Sequence, residues 1–342
     1  MSAGLPLALT LGEPAGIGPD LTLALWKRRR EFGLAPFYVI GDADFLSERA
    51  RLLGLDVPLS TVTPEQASGV FAKALPVVAL DGPVTARPGE PDANSGPAAI
   101  ASIRRAVADV MAGRAGAVVT NPIAKNVLYR TGFADPGHTE FLARLCEEAT
   151  GRPVMPVMML WSSTLAVVPV TIHIPLKDVV GQLTSELIVK TGRIVARDLR
   201  KWFGVSEPRL AVAGLNPHAG EDGTLGEEDE TIVAPAVARL KAEGIDVVGP
   251  LPADTMFHDE ARTRYDVALC MYHDQALIPI KTLDFHGGVN VTLGLPFLRT
   301  SPDHGTAFSL AGTGKANPSS LAAAIQLAAR LTAKTPVLAP AS

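Results

Sequence analysis

Short apolar runs alternate with helix-period stretches along most of this chain, and that alternation restricts its fold more than any other property. Residues 5–11, 37–40, 77–80 and 117–120 read as buried strands, and residues 19–30 and 97–112 between them read as helices. After Pro122 the pattern continues through helical stretches at 139–150, 185–202 and 227–242, closing with 319–331. Strands separated by helices imply a mainly parallel sheet covered by helices. With 342 residues and 47% hydrophobic content, the chain has enough apolar material for two ordinary cores. The expectation is therefore an α/β protein of two α/β/α lobes. Residues 1–130 with 305–342 form the first and 131–304 the second. No Ser/Gly-rich linker divides them, so the chain is expected to cross more than once, with a cleft at the junction.

Charge excludes one class of partner. The 31 basic and 35 acidic residues are scattered, for a net charge of -4, so no long electropositive surface is available for nucleic acid. The one basic run, residues 27–30, ends a helical stretch, where it complements the dipole and faces solvent. Cys146 and Cys270 are far apart and form no C-x-x-C pattern, so they read as small core residues in a reducing compartment. The amino terminus lacks a basic leader. Residues 154–172 approach a membrane span in length, but Pro156, Trp161-Ser162-Ser163-Thr164 and Pro169 break them into two strands joined by a turn. A soluble cytoplasmic protein, free of membrane, is expected.

Three histidines each follow an apolar run: His173 after 167–172, His218 after 210–215, and His273 after 267–272. If those runs are parallel strands, the imidazoles lie along the carboxyl edge of one sheet, where open α/β folds place ligands. Three neutral imidazoles suit zinc or cobalt better than calcium and leave positions for substrate oxygens. No H-x-x-x-H or H-E-x-x-H spacing supports a shared site, and a lone His after a strand is commonly a hydrogen-bonded structural group. Both readings stand at this point.

Two loops could receive an anion. Gly12-Glu13-Pro14-Ala15-Gly16-Ile17-Gly18-Pro19 joins a strand to a helix but lacks the G-x-G-x-x-G and Walker spacings, which favours a tight turn. Gly137-His138-Thr139-Glu140 opens an apolar-periodic helix whose free N–H groups favour a phosphate or carboxylate; the alternative is an ordinary cap with Thr139 in the capping position. Lys281, Asn290 and Arg299 follow His273 on expected loops or strand ends, and two cations with an amide are what a small phosphorylated acid requires.

Five motifs also carry a family resemblance. They are residues 12–19, residues 137–140, Gly214-Leu215-Asn216-Pro217-His218-Ala219-Gly220-Glu221, Gly249-Pro250-Leu251-Pro252-Ala253-Asp254-Thr255 and Met271-Tyr272-His273-Asp274-Gln275. In this order the chain resembles the 4-hydroxythreonine-4-phosphate dehydrogenase family from about residue 5 to 331. The resemblance implies NAD(P)-dependent oxidation of 4-phosphooxy-L-threonine at C3, then decarboxylation to 3-amino-2-oxopropyl phosphate for pyridoxal phosphate synthesis. It maps a divalent metal (zinc, cobalt or magnesium) onto His173, His218 and His273, and substrate contacts onto His138, Thr139, Lys281, Asn290 and Arg299. It also implies a homodimer with its active site at the subunit interface, so that one metal ligand comes from the partner. Two departures stand out: residues 120–125 have Asn121 and Ala124 where smaller or more polar residues are common, and Asp222 replaces a common glycine.

Residues 304–318 are similar to the adenosine-binding loop of isopropylmalate and isocitrate dehydrogenases, which share the two-lobed fold and bind NAD without a Rossmann fingerprint. His304, Gly305, Gly312, Gly314 and Asn317 are the expected cofactor contacts, although glycine-rich backbone also makes ordinary turns. Lys281 is the expected proton-transfer residue. Asp254 and Asp274 are candidates for the substrate's amino group, the alternative being buried structural acids. The competing functions are a D-erythronate or D-threonate 4-phosphate dehydrogenase, a metal-dependent phosphohydrolase and an inactive binding protein.

Overall fold

The structure is a computed structural model that describes residues 4–333 apart from 93, 131, 132, 134, 136 and 286. The chain divides into two units, Met1–Pro156 with Leu295–Ser342, and Val157–Gly294. The first unit opens with β1 (Leu7–Thr10), α1 (Gly18–Lys27), β2 (Phe37–Gly41), α2 (Ala43–Leu52), β3 (Leu59–Thr61), α3 (Ala67–Val70) and β4 (Leu75–Ala79). It continues with α4 (Gly96–Met111), β5 (Val118–Val119), α5 (Lys125–Tyr129) and α6 (His138–Thr150). The second unit contains β6 (Val157–Trp161), β7 (Ala166–Pro169), α7 (Leu176–Gln182), α8 (Ser185–Asp198), β8 (Arg209–Ala213) and α9 (Ala234–Ala242). After them come β9 (Asp246–Leu251), α10 (Asp259–Arg262), β10 (Val267–Cys270), α11 (His273–Leu283) and β11 (Val289–Leu293). The chain then returns to the first unit with β12 (Arg299–Pro302) and α12 (Ser319–Ala333).

Strand order in the first unit is β3-β4-β2-β1-β5-β12, and every pairing is parallel. Its strands read as continuous apolar runs because helices bury both faces. Asp42 starts α2 by accepting the N–H groups of Asp44 and Phe45, at 2.9 and 3.4 Å. Phe141 of α6 is fully buried against Phe133 in a core that includes Tyr38, Ile103 and Cys146. That packing places α6 in the first unit, so the division falls after Pro156 and Gly294, where the sequence suggested 130 and 304.

The second unit has the order β11-β6-β7-β10-β8-β9. β6 pairs antiparallel with β11 and β7, forming the turn-linked pair expected of residues 154–172; β7, β10, β8 and β9 pair parallel. Its core gathers Val167, Ala211, Ala268, Cys270 and Ile280. Both cysteines are buried and free, as expected of core residues. Among the described residues no helix is long and apolar enough to cross a membrane.

Candidate active site

In the second unit the parallel strands β7, β10 and β8 lie side by side, with Pro169 beside Cys270 and Leu269 beside Val212. Each strand leads from its carboxyl end into a histidine. β7 runs through Val170 to His173, β10 through Tyr272 to His273 at the first position of α11, and β8 through Gly214 to His218. The edge placement expected from sequence is therefore present. Side-chain hydrogen bonds tie these loops together. Thr171 donates its N–H and its hydroxyl to the Met271 carbonyl at 3.2 and 2.7 Å. Gln275 accepts the Met271 N–H at 2.6 Å and donates to the Gly214 carbonyl at 2.7 Å. Buried Asp229 accepts the N–H groups of Leu215 and Asn216 at 2.7 and 3.0 Å.

The rings of His173 and His273 lie 5.7 Å apart, centroid to centroid. They line a pocket of about 240 Å³ with Thr171, Leu176, Tyr272 and Asp274. The Nδ1 of His273 is 2.7 Å from a carboxylate oxygen of Asp274, which fixes the ring and leaves Nε2 as the available ligand atom. His173 and His218 have φ of 49° and 54°, and the left-handed backbone recurs at Ala219, Glu221 and Asp222. Non-glycine residues persist there only where their surroundings impose it, a common condition at functional sites. Among the described residues, no group of three or more His, Cys, Asp or Glu is gathered closely enough to hold a metal within this one chain. The donor chemistry nonetheless fits a borderline divalent ion: adjacent imidazoles, one oriented by a carboxylate.

Lys281, expected on a loop, lies in the last turn of α11, with Nζ 6.0 Å from the Phe285 ring. Pro279 inside that helix interrupts the pattern a sequence reading relies on. Asn290 sits within β11, with a buried Oδ1 that has no hydrogen-bond partner among the described residues. Asp254, on a 3₁₀ turn after β9, and Asp274 are both exposed, so neither is a buried structural acid.

Arg299 and His138 belong to the first unit. Arg299 opens β12, only 4% exposed, and donates from Nε and Nη2 to the Thr120 hydroxyl at 3.1 and 2.6 Å. Burial lowers its pKa to about 10, which leaves it a cation at neutral pH. Burial also holds the His138 imidazole well below its usual pKa, and the Arg299 charge acts in the same direction. His138 is thus neutral, and its Nε2 is buried without a hydrogen-bond partner among the described residues. α6 begins at His138 with Gly137 as its N-cap, so Thr139 lies in the first turn and is not the cap. No side chain caps this helix, and its leading N–H groups point to the position where an anion is favoured.

Residues 12–19 are all buried, in keeping with a tight turn. Arg49 donates to the Pro14 and Gly16 carbonyls at 2.8 and 3.2 Å and pairs with Asp20 at 2.5 Å. The other Asp20 oxygen accepts the Gly312 N–H at 2.6 Å, and the Ile17 N–H reaches the Thr306 carbonyl at 3.0 Å. The turn is therefore the seat for residues 304–318. Gly312 has φ of 74°, and a Cβ there would lie 2.8 Å from the Pro88 side chain, so only glycine fits. Gly314 has a similar φ of 71°. The Asn317 side chain accepts the Ser319 N–H at 3.0 Å where α12 begins. His304 Nδ1 is 3.0 Å from the Gly305 carbonyl, and its Nε2 is buried without a partner among the described residues.

Sequence reasoning missed Thr120, Gln275 and Asp229, which hold the candidate ligands in place. It also missed Glu13, 1% exposed, whose pKa burial raises. Only Thr120, directly after β5, stood where a sequence signal could have pointed to it.

Comparisons with known proteins identify the family. Residues 34–328 match the family model described as pyridoxal phosphate biosynthetic protein PdxA. The chain is 64% identical to the 4-hydroxythreonine-4-phosphate dehydrogenase of Bradyrhizobium diazoefficiens over 97% of its own length and 98% of that protein's. Its identity to the Xanthobacter autotrophicus protein of the same name is 63%, covering 97% and 95% of the two chains. The crystal structure of the Klebsiella pneumoniae 4-hydroxythreonine-4-phosphate dehydrogenase superposes with a TM-score of 0.85 at 39% identity, covering 96% of this chain and all of that one. The family match and near-full-length identity together place this chain in the pyridoxal phosphate biosynthetic protein PdxA family.

Proposed function

We propose that this protein is a 4-hydroxythreonine-4-phosphate dehydrogenase. It oxidises 4-phosphooxy-L-threonine at C3 with NAD or NADP to 2-amino-3-oxo-4-phosphooxybutanoate, which loses carbon dioxide to give 3-amino-2-oxopropyl phosphate. Family membership supports the reaction class. The observation that carries the site is the delivery of three histidines by adjacent parallel strands, two of them with rings 5.7 Å apart.

His173, His218 and His273 would hold a divalent ion, zinc and cobalt being suited to imidazole ligands and magnesium a further candidate. A second copy of the chain in a homodimer would complete the ligand set. The ion's contribution is Lewis acidity toward the C3 oxygen, and the nicotinamide's is a hydride acceptor. In this reading Lys281 takes the proton released from the C3 hydroxyl oxygen. The N–H groups at the start of α6, with Thr139, neutral His138 and cationic Arg299, hold the ester phosphate. Asn290 offers its unpartnered Oδ1 to a substrate donor, and exposed Asp254 and Asp274 face the amino group. His304, Gly305, Gly312, Gly314 and Asn317 shape the cofactor loop on its buried seat.

Metal-stripped protein, reloaded with single ions and given either nucleotide, should form the reduced cofactor with 4-phosphooxy-L-threonine and outpace D-erythronate and D-threonate 4-phosphates. Equal or faster turnover of the sugar acids would replace this substrate, and phosphate release without nucleotide would replace the reaction.

A further inference from the structure

The loop that leaves β5 carries a lysine for which the proposed function has no role yet. Thr120 binds Arg299, and the next residue is fixed on three sides. The Asn121 N–H donates to the Thr10 hydroxyl at 3.1 Å, and its Nδ2 donates to the Thr10 carbonyl and Thr22 hydroxyl at 2.9 and 3.0 Å. The Pro122 carbonyl accepts the Glu13 N–H at 2.8 Å. This locked peptide delivers Lys125 to the first position of α5.

From there the side chain reaches the amino end of α6. A Cβ built on Gly137 would lie 3.2 Å from Lys125 Nζ, 3.3 Å from its Cε and 2.7 Å from Glu140 Oε2. The ammonium thus rests against the N-cap backbone, where the helix dipole is positive and disfavours a cation. Lys125 is exposed and forms no ion pair among the described residues, so Glu140, although close by, does not neutralise it in a salt bridge. Beside it stand a helix end without a side-chain cap and the unpartnered, buried Nε2 of His138. The ammonium and the dipole end are both positive, with the Glu140 carboxylate beside them, and an anion joining them would meet both positive groups.

We infer that Lys125 is a substrate-binding residue that completes the phosphate subsite at the start of α6, where it meets the ester dianion. This inference rests on the proposed reading of that helix end as the phosphate site. Because residue 137 is glycine, the lysine lies close against the backbone; a Cβ there would press on Nζ and Cε at 3.2 and 3.3 Å.

The test compares Lys125→Met, Lys125→Arg and, as a reference, Thr139→Val in the metal-loaded protein. Lys125→Met should raise KM for the phosphorylated substrate by about ten- to a hundred-fold, the equivalent of one charged hydrogen bond. KM for the nucleotide should stay unchanged and kcat should fall far less. Inhibition by inorganic phosphate, competitive with substrate, should weaken in parallel, and Lys125→Arg should recover most of both losses. If Lys125→Met leaves KM and phosphate inhibition unchanged while Thr139→Val raises KM, Lys125 is not a phosphate ligand and the subsite stands without it. If neither variant changes KM, the phosphate does not bind at α6, and the reading beneath the inference fails.

Discussion

The carboxyl ends of the strands are built in opposite ways in the two units. On the first unit's edge, Asn121, Glu13, Arg49, Asp20 and the Arg299 guanidinium, which reaches Thr120 just past β5 from the start of β12, are all buried and held by short hydrogen bonds to hydroxyls, carbonyls and one another. On the second unit's edge the histidines and acids are more exposed, and the backbone turns left-handed at His173, His218, Ala219, Glu221 and Asp222. The first edge gains its shape from folding alone: its polar groups are preorganised before any ligand arrives. The second is held in a costly conformation by the bonds of Thr171, Gln275 and Asp229, an arrangement that a bound ligand would stabilise further.

The largest effect expected separates the edges by what each holds. His218→Ala should lose the metal and reduce turnover by at least on the order of a hundred-fold, with an unchanged circular dichroism spectrum. Arg299→Met should retain the metal and raise KM for the phosphorylated substrate by about ten- to a hundred-fold. A methionine fills much of the guanidinium's volume, and an unchanged circular dichroism spectrum for Arg299→Met would show that the fold accommodates it. Elemental analysis of both variants decides the matter. Metal retained by His218→Ala, or lost from Arg299→Met, would erase the division of labour.

How much of this was legible beforehand follows from the same contrast. The histidines were visible because each ends an apolar run, and parallel strands must end along one edge; physics thus turned spacing into position. Lys281 was misplaced because Pro279 obscures the helix that carries it. Thr139 was read as a potential cap because Thr commonly caps, whereas α6 starts one residue earlier behind Gly137. The partners of Thr120, Gln275 and Asp229 could not be found at all. Their bonds link residues 4 to 179 positions apart, and a single sequence has no marker for which distant acceptor a polar side chain will meet.

A smaller effect comes from pH on the first edge. Burial, with the Arg299 charge, holds the His138 imidazole well below its ordinary pKa of 6.5. As pH falls past that value the unfolded chain takes up a proton that the folded chain refuses, so stability is complete above it and declines below. Going from pH 7.5 to 5.5 this group should cost about 1.4 kcal/mol if the folded imidazole stays neutral throughout. Denaturant melts of the wild type and His138→Gln across that range isolate it from other titrating groups. The expected outcome is a flatter profile for the variant; parallel profiles would mean that the preorganised edge does not enforce a neutral ring.

The smallest effect expected is a gain, and it lies on the strained edge. Asp222 is exposed, has φ of 54°, and follows Glu221 with φ of 44° in the loop beyond His218. A left-handed L-residue carries roughly 1–2 kcal/mol of steric cost, reduced somewhat for Asp. Glycine removes that cost but loses roughly 0.5–1 kcal/mol through the greater freedom of the unfolded chain. The difference leaves Asp222→Gly more stable by about 0.5 kcal/mol in a denaturant melt. A loss of stability would show that the Asp222 side chain supports the histidine loop. The left-handed turn would then be stabilised by its own acid, and the second edge would resemble the first more closely than its backbone suggests.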